Sequence, residues 1–546
     1  MKTSILNKLV LIPALALALT ACDESHFLNL SNPNNQTEGD FWTSEAAVQS
    51  SMATVYSPIR GQMYGYFGAF TGYQNMNVRA DDTWGIPNDD PETWDITIFA
   101  NTPSTDRYDY GRLYNGVHRA NTVLDQLENN TDLPVDDAKK KELIAEAKFL
   151  RGMYYFYLVT NFQDVPLRLK PSNKNSADFM LASSPEATIW AQIEADLKVA
   201  KEGLPLTRPS SEEGRVTKGA AIAYLGKSYI FQNKHAEGEA ELKTIMQSPY
   251  MYDLVENPND NFTEFTEMNK ESIFEIVYDG GFGSGSWGDE EPNSTQGMVL
   301  PNFFGPEGSG GWFKVMPTAS LVDAFVSELR PTGSDTKFDK RMYTSFYFKH
   351  SDMGDVVADE TWFGGKTFDK IWEDVAGKRA KGAPEFSSYN GKEGRFLVKK
   401  YTNFYLDDPQ ANSMYNQKNQ NNNLRVMRFA EVLLLHAEAC IKTGKLDEAA
   451  ADLTRIRDRA GLAKKTWAGA DDLWNEMVHQ KYLELFFEGQ RFFDLRRWYG
   501  YSGMKEIFVK NKKQGANAFQ EKHLWFPIPN GEMETNTEIE QHPLWK

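Results

Sequence analysis

Residues 141–159 read KELIAEAKFLRGMYYFYLV. Leu143, Ala147, Leu150, Tyr154 and Leu158 stand at i, i+4, i+7, i+11 and i+15, which is one face of an α-helix. An apolar face of that length needs a partner, and the chain supplies helices in pairs. Thr217 to Gln232 and Ala236 to Met246 form one pair around Asn233-Lys234-His235. In a later pair Val426, Phe429, Leu433, Ala437 and Cys440 stripe one helix, Gly444 stops it, and Leu446 to Arg459 runs back. Leu225, Gly226, Tyr229, Leu242 and Ile245 fall at the packing positions of a tetratricopeptide (TPR) repeat, as do Leu433, Ala437, Ala449, Leu453 and Ile456. The expected fold is mainly α, a TPR-like superhelix of helical hairpins.

The hairpins are not contiguous. Between Met246 and Leu424 lie short strand-like runs (Ser272 to Tyr278, Phe396 to Tyr401) and loops, with ten glycines in residues 280–311. A loop-rich, minor-β insertion on a rigid frame is where binding usually sits. The chain therefore divides into a leader (1–21), a tether (22–40), a helical frame (41–270) carrying an aromatic loop at 60–110, the insertion (271–423), and closing helices (424–546).

The 546 residues are 41% hydrophobic and 25% charged, which excludes disorder and fibrous repeats. Lys plus Arg number 59 against 76 Asp plus Glu, a net charge of −17. Such a chain gains no counterion-release energy from a phosphate backbone, so nucleic acid is excluded as a partner. Lys2 and Lys8 make a basic n-region before an apolar stretch from Leu9 to Leu19, too short to span a bilayer, and Leu19-Thr20-Ala21-Cys22 has the form of a bacterial lipobox. Acylation of Cys22 is expected to anchor the mature chain in the outer membrane, and the acidic pair Asp23-Glu24 beside it resembles a lipoprotein surface-export signal. The second cysteine, Cys440, then has no disulfide partner.

Aromatics mark the expected ligand site. Residues 64–94 hold Tyr64, Tyr66, Phe67, Phe70, Tyr73, Trp84 and Trp94, and the insertion adds Trp287 and Trp312 among glycines. A sugar ring stacks its C–H face on a flat aromatic while amides, carboxylates and guanidinium groups bond its hydroxyl rim. Tyr73, Asn75, Arg79, Asp82, Trp84, Trp94, Trp287 and Trp312 are the candidate ligand-binding residues. Residues 61–100 contain one basic side chain, Arg79, against six acids, and residues 280–313 contain none. An anionic polymer meets repulsion there, which favours a neutral glycan such as a β-glucan or fructan.

Other motifs fail on their context. Gly283-Ser284-Gly285-Ser286-Trp287-Gly288 has the GxGxxG form, but Asp289-Glu290-Glu291-Pro292 follows where a phosphate site needs a helix N-terminus. His436 and Cys440, one helical turn apart, are half a zinc site without a second Cys or paired His, and read as core. Asp81-Asp82 and Asp89-Asp90 lack EF-hand spacing. No catalytic residue, metal or cofactor is expected.

Several segments together resemble a family. Phe41-Trp42 with Ala46, Ala47 and Tyr56, AEAKFLRGMYYFYLVTNFQDVPL (145–167), RFAEVLLLHAEACIKTG (428–444), ELFFEGQRFFDLRRW (484–498) and WFPIPNGEMETN (525–536) are similar to signatures of the SusD/RagB-like surface glycan-binding lipoproteins of Bacteroidetes. Gly152, where that family often has Ala, is a small departure, as are Thr537 and His542. The resemblance implies a TPR-like fold without catalysis, and capture of oligosaccharide above a SusC-like TonB-dependent transporter. Read bottom-up, 484–498 is architectural: its rings are buried, and Glu488, Arg491, Asp494, Arg496 and Arg497 pair internally and cap carbonyls opened at Gly489. Two other functions fit a helical, Trp-rich surface protein. One is a peptide- or protein-binding TPR module. The other is a glycoside hydrolase, which needs two carboxylates about 5–10 Å apart beside the sugar.

Overall fold

The computed structural model describes residues 42–60, 65–69, 71–85, 91–105, 107–172, 175–176, 179–279, 297–305, 311–362, 365–378, 388–389, 392–393, 396–402 and 421–546. The leader, Cys22, the tether and Trp287 lie outside them.

The frame is a stack of antiparallel helices. Tyr110–Asn129 packs on Asp137–Phe162, which packs on Glu186–Gly203, then Lys218–Phe231 and His235–Ile245. The stack then steps across the insertion, because His235–Ile245 packs on Phe429–Thr443, followed by Leu446–Arg459 and Ala470–Glu484. The fold is therefore mainly α and TPR-like, as the spacing predicts.

Local chemistry sets these helices. The Asp136 carboxylate accepts from the Lys139 amide at 2.7 Å and starts Asp137–Phe162. Gly444, at φ 79°, ends Phe429–Thr443 in the left-handed cap that glycine tolerates best. Where Lys218–Phe231 crosses His235–Ile245 the backbones touch: a Cβ on Gly226 would lie 2.7 Å from Leu242, and one on Gly238 would lie 2.6 Å from Ile230. Bulk at either position forces the pair apart.

Both ends of the insertion are tied together. Ser272–Ile276 pairs antiparallel with Leu424–Arg428, a two-stranded neck from which the intervening chain leaves and to which it returns. One hydrophobic core runs from Trp42 to Ile539 through the frame, neck and closing helices. A second, small core gathers Trp84, Phe313, Met316, Tyr347, Trp362, Phe368, Ile371 and Leu397. It is built from the insertion, with Trp84 as its contribution from the earlier aromatic segment.

Candidate functional site

Thr83–Gly85 and Val315–Pro317 form an antiparallel ladder, with Trp84 opposite Met316 and Gly85 opposite Val315. This pairing joins the two aromatic segments. Its register places the chain after Gly85 and the chain before Val315 at the same end. Thr97, in the Pro91–Thr97 helix, lies against Gly85 (its Oγ1 would be 3.0 Å from a Cβ there), so that helix sits at this end as well. Trp94 comes from that helix and Trp312 from the run into Val315. Both are half-buried, with part of each side chain at the surface.

Trp312 is held firmly. Its ring centroid is 4.7 Å from that of Phe303, its amide donates to the Asn302 carbonyl at 2.5 Å, and the Lys314 ammonium lies 5.5 Å from its centroid. Lys314 stands one residue beyond the stretch that is free of basic side chains, so one cation does accompany the platform.

Five of the expected ligand residues point inward instead. Every residue of the Gly72–Val78 helix is buried. The Tyr73 hydroxyl donates to the Phe487 carbonyl, and its ring meets Phe304, Tyr401 and Phe487. The Asn75 amide donates to the Arg107 carbonyl. Arg79 is clasped between Phe492 and Phe526, 3.7 and 3.9 Å from the ring centroids, and donates to Asn161 Oδ1 and the His523 carbonyl, each at 3.3 Å. This is a cation–π sandwich, which satisfies a buried guanidinium without a carboxylate. Asp82 is buried next to Asp81, and Trp84 is only 6% exposed, within the small core. Tyr73, Asn75, Arg79 and Trp84 thus make their contacts inside the fold and Asp82 is buried with them; sequence composition had no means of separating the five from a solvent-facing rim.

Tyr73 and Arg79 meet the segment 484–498, as do their neighbours Asn77 and Asp81. Arg491 Nε donates to Asp81 Oδ1 at 2.8 Å, and the Gly489 amide donates to Asn77 Oδ1 at 3.1 Å. Lys400, buried, donates to the Glu484 and Phe486 carbonyls at 3.0 and 2.9 Å and pairs with Glu488 at 2.8 Å. The carbonyls around Gly489 are therefore capped by Lys400, Arg428 and Tyr73, from other segments. Among the described residues, the ion pair within the segment is Asp494 with Arg497, 2.8 Å, and the Gln490 side-chain amide donates to the Glu488 carbonyl at 3.3 Å. Lys400 is therefore spent inside the fold.

The Asp81–Asp82 pair splits electrostatically. Burial pushes both carboxyls up, but Arg491 and Asn511 bring Asp81 below its ordinary value. At Asp82, burial and the Asp81 charge outweigh the pull of Arg491 and Lys513 and lift it to about 7.

Open space lies elsewhere on the surface. A cleft of 890 Å³ is lined by Arg107, Tyr108, Asp109, Tyr110, Asn530 and Glu532. A second, of 600 Å³, lies between the Glu45–Arg60 helix, residues 211–215 and strand residues 274–277. Neither is lined by Trp94 or Trp312. The first was signalled by the Tyr-Asp-Tyr-Gly-Arg run at 108–112 but depends on residues 529–534, which no local pattern links to it.

Residues 270–545 match the family model described as the SusD family, and residues 26–230 match one described as starch-binding, associating with outer membrane. A SusD-like protein of Bacteroides ovatus is 24% identical over 93% of this chain and 86% of its own length. The starch-binding protein SusD of Bacteroides thetaiotaomicron is 24% identical across the whole of both chains. The crystal structure of a SusD superfamily protein from Bacteroides vulgatus superposes with a TM-score of 0.77 at 28% identity, covering 92% of this chain and 99% of that one. A surface glycan-binding protein A from Bacteroides thetaiotaomicron, in complex with laminarihexaose, shares the fold at 20% identity and a TM-score of 0.71, covering 91% of this chain and 99% of its own. The first family match alone covers just over half of the sequence, and the chain belongs to the SusD family.

Proposed function

We propose that this chain is a non-catalytic lipoprotein, anchored through Cys22 at the outer-membrane surface, that captures a neutral glycan and passes it to a SusC-like TonB-dependent transporter. The observation that carries the reading is the ladder end at which two half-exposed tryptophans, Trp94 and Trp312, come from separate segments of a SusD-family chain. Two rings on rigid supports suit stacking on successive sugars, since their orientation costs little entropy on binding. Laminarin, a neutral β-glucan, is the first ligand to try, because the solved relatives of the same fold include one described as a laminarin binding SusD-like protein.

Affinity gels of laminarin, fructan, alginate and a sulfated polymer, run with the chain lacking its leader and lipid, test the ligand class. Retardation by a neutral polymer is expected; stronger retardation by alginate or the sulfated polymer would reverse the charge argument. Trp312→Ala and Trp94→Ala should each weaken binding about tenfold, roughly 1.4 kcal/mol, in variants that still unfold cooperatively, with some stability lost at Trp312, which packs on Phe303. Parent-like binding by both variants would remove the site. Reducing-sugar release on prolonged incubation would overturn the absence of catalysis. Failure to co-purify with a large outer-membrane barrel protein from native membranes would count against delivery.

A further inference from the structure

His436 and Cys440 lie one turn apart on the Phe429–Thr443 helix, both buried. His436 Nδ1 is 2.6 Å from Asp452 Oδ2. A carboxylate accepts, so Nδ1 carries a proton, and Nε2 is the nitrogen whose lone pair the neutral ring offers to an ion. Around Nε2 stand Cys440 Sγ at 3.6 Å, Glu239 Oε1 at 3.7 Å and Glu448 Oε2 at 3.9 Å. One donor atom from each of the four residues lies within 4.8 Å of every other.

Ligand atoms on tetrahedral zinc, with bonds of about 2.0–2.3 Å, are about 3.3–3.8 Å apart. The three atoms around Nε2 are therefore close to the spacing such an ion requires. A histidine whose remote nitrogen is fixed by a carboxylate is also the usual outer-shell arrangement of a zinc ligand. We propose that Glu239, His436, Cys440 and Glu448 form a site for a divalent transition-metal ion of the zinc class, oriented by Asp452. The sulfur and imidazole donors select against Ca²⁺ and Mg²⁺.

The two carboxylates are now neutralised by lysines. Lys445 Nζ is 2.5 Å from Glu239 Oε2, and Lys243 Nζ is 2.6 Å from Glu448 Oε2. Both ammonium groups sit on the solvent side with about two-fifths of the side chain exposed, so they can swing outward as the ion enters. Cys440 Sγ is 3.6 and 3.7 Å from the two ring nitrogens, beside the ring, so its coordination needs one side-chain rotation. The thiol proton passes to solvent as the metal–thiolate bond forms, and no redox partner is needed.

Such an ion would join two hairpins. Glu239 belongs to His235–Ile245, before the insertion, whereas His436, Cys440 and Glu448 belong to the pair after it. The sequence supplies His436 and Cys440 at helical spacing, and only the fold adds the carboxylates.

The test uses the intact chain, purified without a polyhistidine tag and stripped with chelator, then titrated with Zn²⁺ and with Co²⁺. One equivalent is expected to bind. The cobalt form should show the intense visible bands of a tetrahedral site and a near-ultraviolet thiolate band, and zinc should raise the melting temperature reversibly. Cys440→Ser should abolish the thiolate band. Glu448→Gln, a change at the half-buried rim that spares the core, should weaken zinc at least tenfold. No binding, a weak octahedral cobalt spectrum, or parent-like zinc affinity in both variants would overturn the site and assign any bound ion to the acidic surface.

Discussion

Residues 73–84 and 484–498 have nearly the same chemistry, rings interleaved with carboxylates, amides and guanidinium groups. Taken alone, the first reads as a ligand rim and the second as an internal clamp. In the fold they are two halves of one clamp: Tyr73 on Phe487, Asn77 on Gly489, Arg79 on Phe492 and Asp81 on Arg491. Polar groups among aromatics face a ligand only where no complementary segment of the same chain claims them first. Breaking one partner of a buried pair costs about 3–5 kcal/mol, which gives the internal claim priority over a dilute sugar.

That priority is tested most severely at Arg428. Its guanidinium reaches Glu271 at 2.7 Å, Glu484 at 2.6 Å and Glu488 at 2.7 Å, tying the neck of the insertion to the clamp. Arg428→Ala removes the cation that the three buried carboxylates share, leaving Glu271 and Glu484 to Arg459 and Glu488 to Lys400. A loss of about 3–5 kcal/mol in urea unfolding is expected. A loss below about 1 kcal/mol would mean that packing, not charge, holds the two segments.

Asp81 and Asp82 sharpen the same contrast through pH. An unfolded aspartate titrates near 3.9. Asp82 folded titrates at about 7, so between about pH 4 and 7 the unfolded chain has shed a proton that the folded chain keeps. Asp82 therefore subtracts stability progressively over that window and by a constant amount above it. Asp81 runs the other way: its folded value is depressed, so its contribution is present above pH 4 and lost as pH falls. Asp82→Asn should stabilise the protein by about 1–3 kcal/mol at pH 8, with the gain fading toward pH 4. A gain that is independent of pH would separate the effect from titration.

Tyr73→Phe is the milder probe of which way the first segment faces. It keeps the ring and removes only the donor to Phe487, at an expected cost of about 1 kcal/mol. Glycan affinity should not change, in contrast to Trp312→Ala, which should lose affinity. A change in affinity for Tyr73→Phe would return this segment to the ligand site.

The helical frame was legible because its information is local. The 141–159 stripe, the small residues at 226 and 437, and the stop at Gly444 each act within one or two turns of their own position. The clamp was legible only in half, since 484–498 announces burial but not its partners, and Asp81 is far from Arg491 along the chain. The ladder that brings Trp94 and Trp312 to one end rests on three residues per strand, Thr83–Gly85 and Val315–Pro317, too short for alternation to reveal. Segments that gain order from distant contacts leave little periodic trace of it.

The smallest predicted effect concerns local information that the sequence does not use. Gly152 lies within the Asp137–Phe162 helix. A Cβ there would meet Asp196 and Leu197 at 3.4 Å, an ordinary contact. Gly152→Ala should therefore stabilise the protein by about 0.5–1 kcal/mol, by removing backbone freedom from the unfolded chain. Gly116, on the neighbouring Tyr110–Asn129 helix, provides the opposite case, since its Cβ would lie 2.2 Å from the Tyr154 ring. There the same substitution should destabilise, because the ring is fully buried and cannot retreat. Chemical denaturation of the two variants side by side tests whether a helix glycine is kept for contact or merely tolerated, and equal shifts of the same sign would refute the distinction.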